Sequence, residues 1–176
     1  MNNEIINITE FDIQHIKLSS TWVVIGPPGC GKTTFIENIA YFNQHIYPVA
    51  KVVCGTVENY KKYCDVFPPL FVSDRFIPEN EQKVIDRQEK LNRSDRNNLG
   101  KYLLYIIDDI DIKLHSHNKK IFEDLFKKGS QWYNQLLVIG TQHPKDLHEK
   151  AISCSSYVVI FRTTNREDKN MIHKLF

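Results

Sequence analysis

The sequence predicts an α/β fold with three layers, in which a mainly parallel sheet is covered by helices on both faces. Two observations favour this fold. Apolar runs of strand length alternate with amphipathic segments, and one run, residues 102–107, is apolar at every position, as expected for a strand buried on both faces. The 176 residues, 41% of them hydrophobic, suit a single domain. We expect an N-terminal extension at 1–20, a core at 21–163 and a C-terminal helix at 164–176.

Proline and glycine mark the limits of several predicted elements. Pro48 and Gly55 bound the second strand, which is rich in β-branched residues. Pro78 lies near the start of a long charged helix and Gly100 just past its end, while Gly129 is expected to close the next helix. In chain order, the predicted strands are 21–25, 49–54, 70–72, 102–107, 135–140 and 157–161, and the predicted helices are 33–42, 79–98, 119–128 and 166–176.

Composition excludes several classes of protein. The 23 basic and 21 acidic residues give a net charge of +2, so a surface that binds nucleic acid must be local. No stretch approaches the ~18–20 apolar residues of a membrane span, and no secretory signal is visible. The cysteines form no CxxC pair and are expected to be reduced thiols: Cys30, Cys54, Cys64 and Cys154. We therefore predict a protein that is not secreted and has no membrane span.

A phosphate-binding loop is the strongest motif. Residues 26–33, Gly-Pro-Pro-Gly-Cys-Gly-Lys-Thr, match GxxxxGK[ST] between a strand and a helix. Such glycines let backbone N–H groups face phosphates, and the helix N-terminus adds positive charge. Lys32 can reach the β- and γ-phosphates, and the Thr33 hydroxyl suits Mg²⁺. The alternative is a Gly-Pro turn before a helix. The predicted nucleotide-binding residues are Gly26, Pro27, Pro28, Gly29, Cys30, Gly31, Lys32, Thr33 and Thr34.

Two acidic residues follow the apolar strand at 102–107. Asp108 is predicted to hold the water shell of Mg²⁺, together with Thr33, and Asp109 to polarise the water that attacks the γ-phosphate. Many P-loop kinases bind nucleotide without such a second acid, so the pair favours hydrolysis. The alternative is that Asp109 and Asp111 only cap the next turn.

Other polar residues are candidates for contacts with phosphate. Gln142 ends a further buried strand, where its amide could orient water and sense the γ-phosphate; alternatively it belongs only to a turn before Pro144. Arg162 directly follows the last strand and Arg166 comes four residues later. Each is a candidate to contact a neighbouring subunit's γ-phosphate, because transition-state charge spreads over the phosphoryl oxygens. The alternative is a surface arginine at a strand end.

A basic stripe is expected on the long charged helix. Lys83, Arg87, Lys90 and Ser94 recur at spacings of three to four residues and so share one face. The stripe could contact DNA phosphates or a neighbouring subunit. It could equally be a solvated face, because acidic residues are interspersed: Glu81, Asp86, Glu89 and Asp95.

The ordered motifs resemble a known family. They comprise the loop at 26–33, His-Ile-Tyr-Pro at 45–48, Val-Val-Cys-Gly-Thr at 52–56 with Glu58 nearby, Phe-Pro-Pro-Leu-Phe at 67–71, Asp108-Asp109, Gly-Thr-Gln at 140–142 and Val-Val-Ile-Phe-Arg at 158–162. This set resembles the DNA-packaging ATPases of nucleocytoplasmic large DNA viruses, of the poxvirus, iridovirus and asfarvirus type, within the FtsK–HerA group of P-loop NTPases. The fold implied is RecA- or FtsK–HerA-like.

The resemblance also implies a function. It implies a homo-oligomeric ring of five or six subunits that uses ATP and Mg²⁺ to move double-stranded DNA into a capsid. A capsid or vertex protein would be a partner, and the location would be the host cytoplasm (the viral factory) or the virion. One departure concerns Ser130-Gln131-Trp132, because many relatives carry Arg-His before this tryptophan. If that arginine acts in trans, its role here falls to Arg162 or Arg87.

Two other functions stay open at this stage. A nucleotide or small-molecule kinase would need an arginine-rich lid and an acceptor pocket, and no lid pattern stands out. A nucleotide-binding assembly protein without hydrolysis is the other alternative. The length leads us to expect one ATPase core, without a nuclease or a separate DNA-binding domain.

Overall fold

A six-stranded parallel sheet forms the centre of the molecule. The computed structural model describes residues 9–94, 99–110, 116–147 and 152–175. The strand order is β3-β2-β4-β5-β1-β6, and every strand pair is parallel. The predicted α/β fold is confirmed. The strands are β1 (Ser20–Ile25), β2 (Val49–Cys54), β3 (Val72–Ser73), β4 (Leu103–Asp108), β5 (Gln135–Thr141) and β6 (Tyr157–Ile160).

Helices cover both faces of the sheet. They are α1 (Lys32–Asn43), α2 (Val57–Val66), α3 (Pro78–Ser94), α4 (Ser116–Trp132) and α5 (Arg166–Leu175). Successive side chains of a strand face opposite sides, so Tyr105 packs with α3 and α4, whereas Ile106 packs with α1 and α2. Every residue of β4 and β5 is buried, which accounts for their apolar sequences. Within the described ranges, no helix is both long and apolar enough to cross a membrane.

The described part of the N-terminal extension packs beside β1 and β6. The Phe11 ring makes edge contacts with Trp22 and Tyr157, at centroid distances of 5.6 and 5.8 Å. Ile16 is buried in the apolar cluster on the α1 side of the sheet. Residues 1–8 lie outside the described residues.

The prediction for α4 was wrong at its end. Gly129 was expected to close a helix over 119–128, but α4 continues to Trp132. A Cβ at Gly129 would lie 2.0 Å from Nε2 of Gln135. Gly129 therefore makes room for a buried side chain, which is a tertiary requirement that helix-ending rules do not contain.

Helix α2 was not predicted at all. It begins at a cap in which Oγ1 of Thr56 accepts a hydrogen bond from the backbone N–H of Asn59 at 3.1 Å, and Glu58 lies in its first turn.

The third strand was also misplaced. Residues Pro69–Phe71 form a short 3₁₀ turn, and β3 covers only Val72–Ser73.

Only part of the charged helix α3 is exposed to solvent. Lys83 and Lys90 are exposed, but Glu81 is fully buried. The hydroxyl of Tyr105 donates to the Glu81 carboxylate, and Nζ of Lys51 lies 3.8 Å from it. Burial raises the pKa of Glu81, and these two partners oppose the rise. The alternative of a solvated face thus fits the exposed Lys83 and Lys90 but not Glu81, which was grouped with the interspersed acids. Residues 95–98 of the predicted helix lie outside the described residues.

Candidate active site

One pocket lies where the carboxyl ends of β1, β4 and β5 meet. Its volume is about 430 Å³. Strand β5 lies between the other two, so the loop after β1 and the acids after β4 face one space. Asp109 and Gln142 line this space together with part of the predicted loop, namely Pro28, Gly29, Gly31, Lys32, Thr33 and Thr34. The structure thus brings together residues that the sequence places far apart.

The loop has the backbone that phosphate binding requires. Gly29 and Gly31 have φ angles of 72° and 98°, in the left-handed region that favours glycine. Gly31 caps α1, whose first backbone N–H groups have no partner of their own in the helix and so are free to bind an anion. Gly26, Pro27 and Cys30 belong to the same turn but do not line the pocket, and the Gly26 N–H donates to the Thr141 carbonyl at 3.2 Å.

Lys32 is held inside the loop. Its side chain is buried, and Nζ donates to the Pro27 carbonyl at 3.2 Å. A neutral carbonyl is a weak partner for an ammonium group compared with an anion. A bound phosphate would therefore replace it with a gain in electrostatic energy.

Asp108 lies beneath the pocket and is fully buried. Its Oδ2 accepts a hydrogen bond from the Thr33 hydroxyl at 2.9 Å. Burial, together with the charge of Asp109, raises the pKa of Asp108. Hydrogen bonds from Tyr63 and Thr33 and the charge of Lys32 lower that pKa in part.

These residues fit a divalent cation of the magnesium type. The hydroxyl of Thr33 and the carboxylate of Asp108 are oxygen ligands, which Mg²⁺ prefers. Oδ1 of Asp109, which lines the pocket, is buried without a hydrogen-bond partner within the described part of the chain. Buried carboxylate oxygens are normally satisfied, so this atom is available to an ion or to a water bound to it.

Asp109 and Gln142 form a hydrogen-bonded pair. Nε2 of Gln142 donates to Oδ2 of Asp109 at 3.2 Å. Asp109 has a φ of 51°, and its backbone N–H donates to the Gly140 carbonyl at 3.0 Å. A left-handed residue that is not glycine costs energy and is often found at functional sites. The alternative was that Asp109 and Asp111 only cap the next turn. Asp111 and the rest of 111–115 lie outside the described residues.

Arg162 does not join this pocket. It is exposed after β6 and lines a separate groove with Lys169 and His173. Arg166 is also exposed, at the start of α5. Arg87 is half-buried on α3, and its guanidinium donates to the Gln88 side chain.

Six residues around the site were given no role by sequence reasoning. Four of them, on or just before α2, line the pocket: Thr56, Glu58, Asn59 and Lys62. Tyr63, one turn beyond Asn59, reaches Asp108. Gly140 on β5 packs directly against Asp108. The cap at Thr56 was the available signal, because it predicts a helix that starts at the carboxyl end of β2.

The fold and the pocket are of the P-loop NTPase class. Residues 22–172 match the model of the ATPase family associated with various cellular activities (AAA). The chain belongs to this AAA family.

Two viral proteins are similar in sequence. The chain is 35% identical over 156 residues to "Uncharacterized protein 075L" of Invertebrate iridescent virus 6, which covers 86% of this chain and 57% of that protein. It is 36% identical over 143 residues to "Uncharacterized protein 015R" of Frog virus 3, covering 81% and 44%. The chain thus spans about half the length of these curated relatives.

A solved structure shows the same fold. It is the genome packaging NTPase B204 from Sulfolobus turreted icosahedral virus 2 in complex with AMPPCP, with a TM-score of 0.61 and 15% identity. The match covers 91% of this chain and 83% of that one.

Proposed function

We propose that this chain is the ATPase domain of a viral genome-packaging motor, which couples Mg²⁺-dependent ATP hydrolysis to movement of double-stranded DNA into a capsid. The observation that carries the proposal is one pocket lined by Lys32, Thr33 and the Asp109–Gln142 pair, with Asp108 beneath it and hydrogen-bonded to Thr33. The similarity in fold to a genome packaging NTPase over nine-tenths of the chain supports the choice of motor.

Each residue of the pocket has a role in the proposal. Lys32 and the N–H groups of the loop bind the β- and γ-phosphates, and Thr33 and Asp108 hold Mg²⁺, in part through water. When bound, Mg²⁺ neutralises charge that develops on the phosphates. Asp109 accepts a proton from the attacking water, while Gln142 orients that water and senses the γ-phosphate. The second acid, Asp109, favours attack by water over transfer to the acceptor of a kinase, because many P-loop kinases bind nucleotide without such an acid.

The proposal includes a ring. The net charge of +2 gives one subunit little attraction for DNA, whereas five or six copies around a duplex add their contacts. The chain acts in this proposal as one domain of the FtsK–HerA type, with a capsid or vertex protein as partner. The host cytoplasm and the virion are the proposed locations, and the iridescent-virus relatives are consistent with both.

Stimulation by DNA is the experiment that tests this function. We expect double-stranded DNA to raise the rate of phosphate release several-fold, and more at low than at high salt, because phosphate contacts release counterions. The oligomeric mass is measured in the same buffers. Lys32→Ala, which loses the phosphate-binding charge, is the control for contaminating ATPases. The motor proposal would be contradicted if the protein hydrolysed ATP as a monomer and DNA did not change the rate at any salt concentration.

Arg162 is proposed to act on the neighbouring subunit's γ-phosphate. Its exposure and its place outside the lining of its own pocket suit such a role. We expect Arg162→Ala and Asp109→Asn each to abolish hydrolysis, and their mixture to recover part of it. In a mixed ring, Arg162 of an Asp109→Asn subunit can reach the pocket of an Arg162→Ala neighbour. That neighbour still has Asp109 as its base, so its pocket is complete. Mixing Asp109→Asn with Lys32→Ala provides the comparison and should stay inactive, because both changes lie in the subunit's own pocket and a neighbour's arginine replaces neither. Wild-type hydrolysis by Arg162→Ala alone would remove this residue from the mechanism.

A further inference from the structure

The carboxylate of Asp108 is held by α2 as well as by the phosphate loop. Its Oδ2 accepts three hydrogen bonds, and only one comes from Thr33. The second comes from the Tyr63 hydroxyl at 2.9 Å and the third from Nδ2 of Asn59 at 3.3 Å. Asn59 and Tyr63 are four residues apart and so lie on the same face of α2. One helix therefore supplies two of the three donors.

Tyr63 and Asn59 differ in how firmly they hold the carboxylate. Tyr63 is fully buried in the apolar cluster between the sheet and α1 and α2. Its ring also packs against Phe67, with centroids 6.2 Å apart, so the packing around it restricts movement of the hydroxyl. Asn59 lines the open pocket and makes the longest of the three bonds. Tyr63 is thus the rigid donor and Asn59 the one that faces incoming ligands.

The opposite side of the carboxylate is closed by backbone. A Cβ added at Gly140 would lie 2.2 Å from Oδ1 of Asp108. The carboxylate therefore fits between Gly140 on β5 and the donors on α1 and α2. Removing a donor from one side leaves a buried charge with fewer partners and more freedom to rotate.

We propose that Tyr63 is a positioning residue of the nucleotide site: its hydroxyl fixes the Asp108 carboxylate in the orientation that serves Thr33 and the metal. This inference rests on the proposed Mg²⁺–ATP site. It makes α2 part of the active site. Tyr63 acts only through Asp108, because its side chain does not line the pocket.

The affinity for a fluorescent non-hydrolysable ATP analogue tests this role in Tyr63→Phe, with Mg²⁺ and with EDTA. Loss of a partner of a metal-binding group costs about 10- to 100-fold in metal affinity. We expect the Mg²⁺-dependent gain in nucleotide affinity to fall by about this factor. The affinity in EDTA should stay within about twofold, because the N–H groups of the loop are unchanged.

Tyr47→Phe is the matched control. The Tyr47 hydroxyl is also buried on the α1 side and donates to the Leu18 carbonyl, before β2 and away from the pocket. We expect it to bind the analogue as the wild type does in both buffers.

Two results would overturn the role of Tyr63. In the first, Tyr63→Phe keeps the full Mg²⁺-dependent gain. In the second, it loses affinity equally with Mg²⁺ and with EDTA, as expected for a general structural defect. The assay needs neither DNA nor hydrolysis, so a wild type that DNA does not stimulate refutes the motor and leaves this result intact. A wild type without any Mg²⁺-dependent gain refutes both proposals.

Discussion

Asp109→Asn is expected to stop ATP hydrolysis while leaving nucleotide binding intact. A positioned base contributes about 10²- to 10⁴-fold to a rate, so phosphate release should fall by that factor. The variant should fold normally for two reasons. Asparagine tolerates the left-handed backbone that Asp109 adopts at φ 51°, and its side-chain oxygen can still accept the hydrogen bond from Gln142. The loss would therefore report the missing proton acceptor.

Phosphate release and binding of the fluorescent analogue measure the two effects separately. Asp86→Asn is the control, since Asp86 is an exposed carboxylate on α3 that also accepts from a glutamine side chain, that of Gln82. We expect wild-type rates for it. Hydrolysis by Asp109→Asn at more than a tenth of the wild-type rate would exclude Asp109 as the base.

Gly140→Ala is expected to damage both stability and the metal site. The new Cβ would lie 2.2 Å from Oδ1 of Asp108 and 3.1 Å from Cδ1 of Ile36. Asp108 cannot turn away without breaking its hydrogen bonds to Tyr63 and Thr33. Overpacking of a buried site costs about 1–3 kcal/mol of unfolding free energy. We also expect the Mg²⁺-dependent gain in nucleotide affinity to be lost, because the displaced carboxylate no longer faces Thr33.

Ile139→Val separates the two effects. Ile139 precedes Gly140 on β5 and packs into the cluster on the other face of the sheet. Its truncation should cost about 0.5–1.5 kcal/mol of unfolding free energy and leave the metal dependence unchanged. Chemical denaturation gives the stability, and analogue binding with Mg²⁺ or EDTA gives the metal dependence. If Gly140→Ala has the unfolding free energy and the Mg²⁺-dependent gain in nucleotide affinity of the wild type, the close contact with Asp108 has no consequence in solution.

Most strands and the main site residues could be predicted from the sequence. The apolar run at 102–107 and the β-branched run at 49–54 differ from the observed strands by no more than one residue at either end. The loop at 26–33 was predicted to act with Asp108, Asp109 and Gln142, because a P-loop needs a carboxylate at the end of a neighbouring buried strand. The pocket brings these groups together, although their roles in catalysis stay predictions.

The missed features depend on contacts between distant segments. Helix α2 carries polar and aromatic residues on its buried side, Asn59 and Tyr63, so it lacks an obvious apolar stripe. Glu81 has the sequence context of a solvated helix residue, and only the packing of Tyr105 and Lys51 makes it a buried acid. Gly129 has the context of a helix end, but the side chain of Gln135 keeps it inside α4.

The sequence alone determined the fold class, the phosphate loop and the two acids after β4, because these depend on local patterns of glycine, apolar and charged residues. The tertiary structure decided how Asp108 is held, with Tyr63 and Asn59 on one side and Gly140 on the other. It also decided that Arg162 lies outside the candidate pocket and lines a separate groove. The physical reason is that a buried carboxylate needs donors from whichever elements the fold packs against it, and no local pattern specifies them.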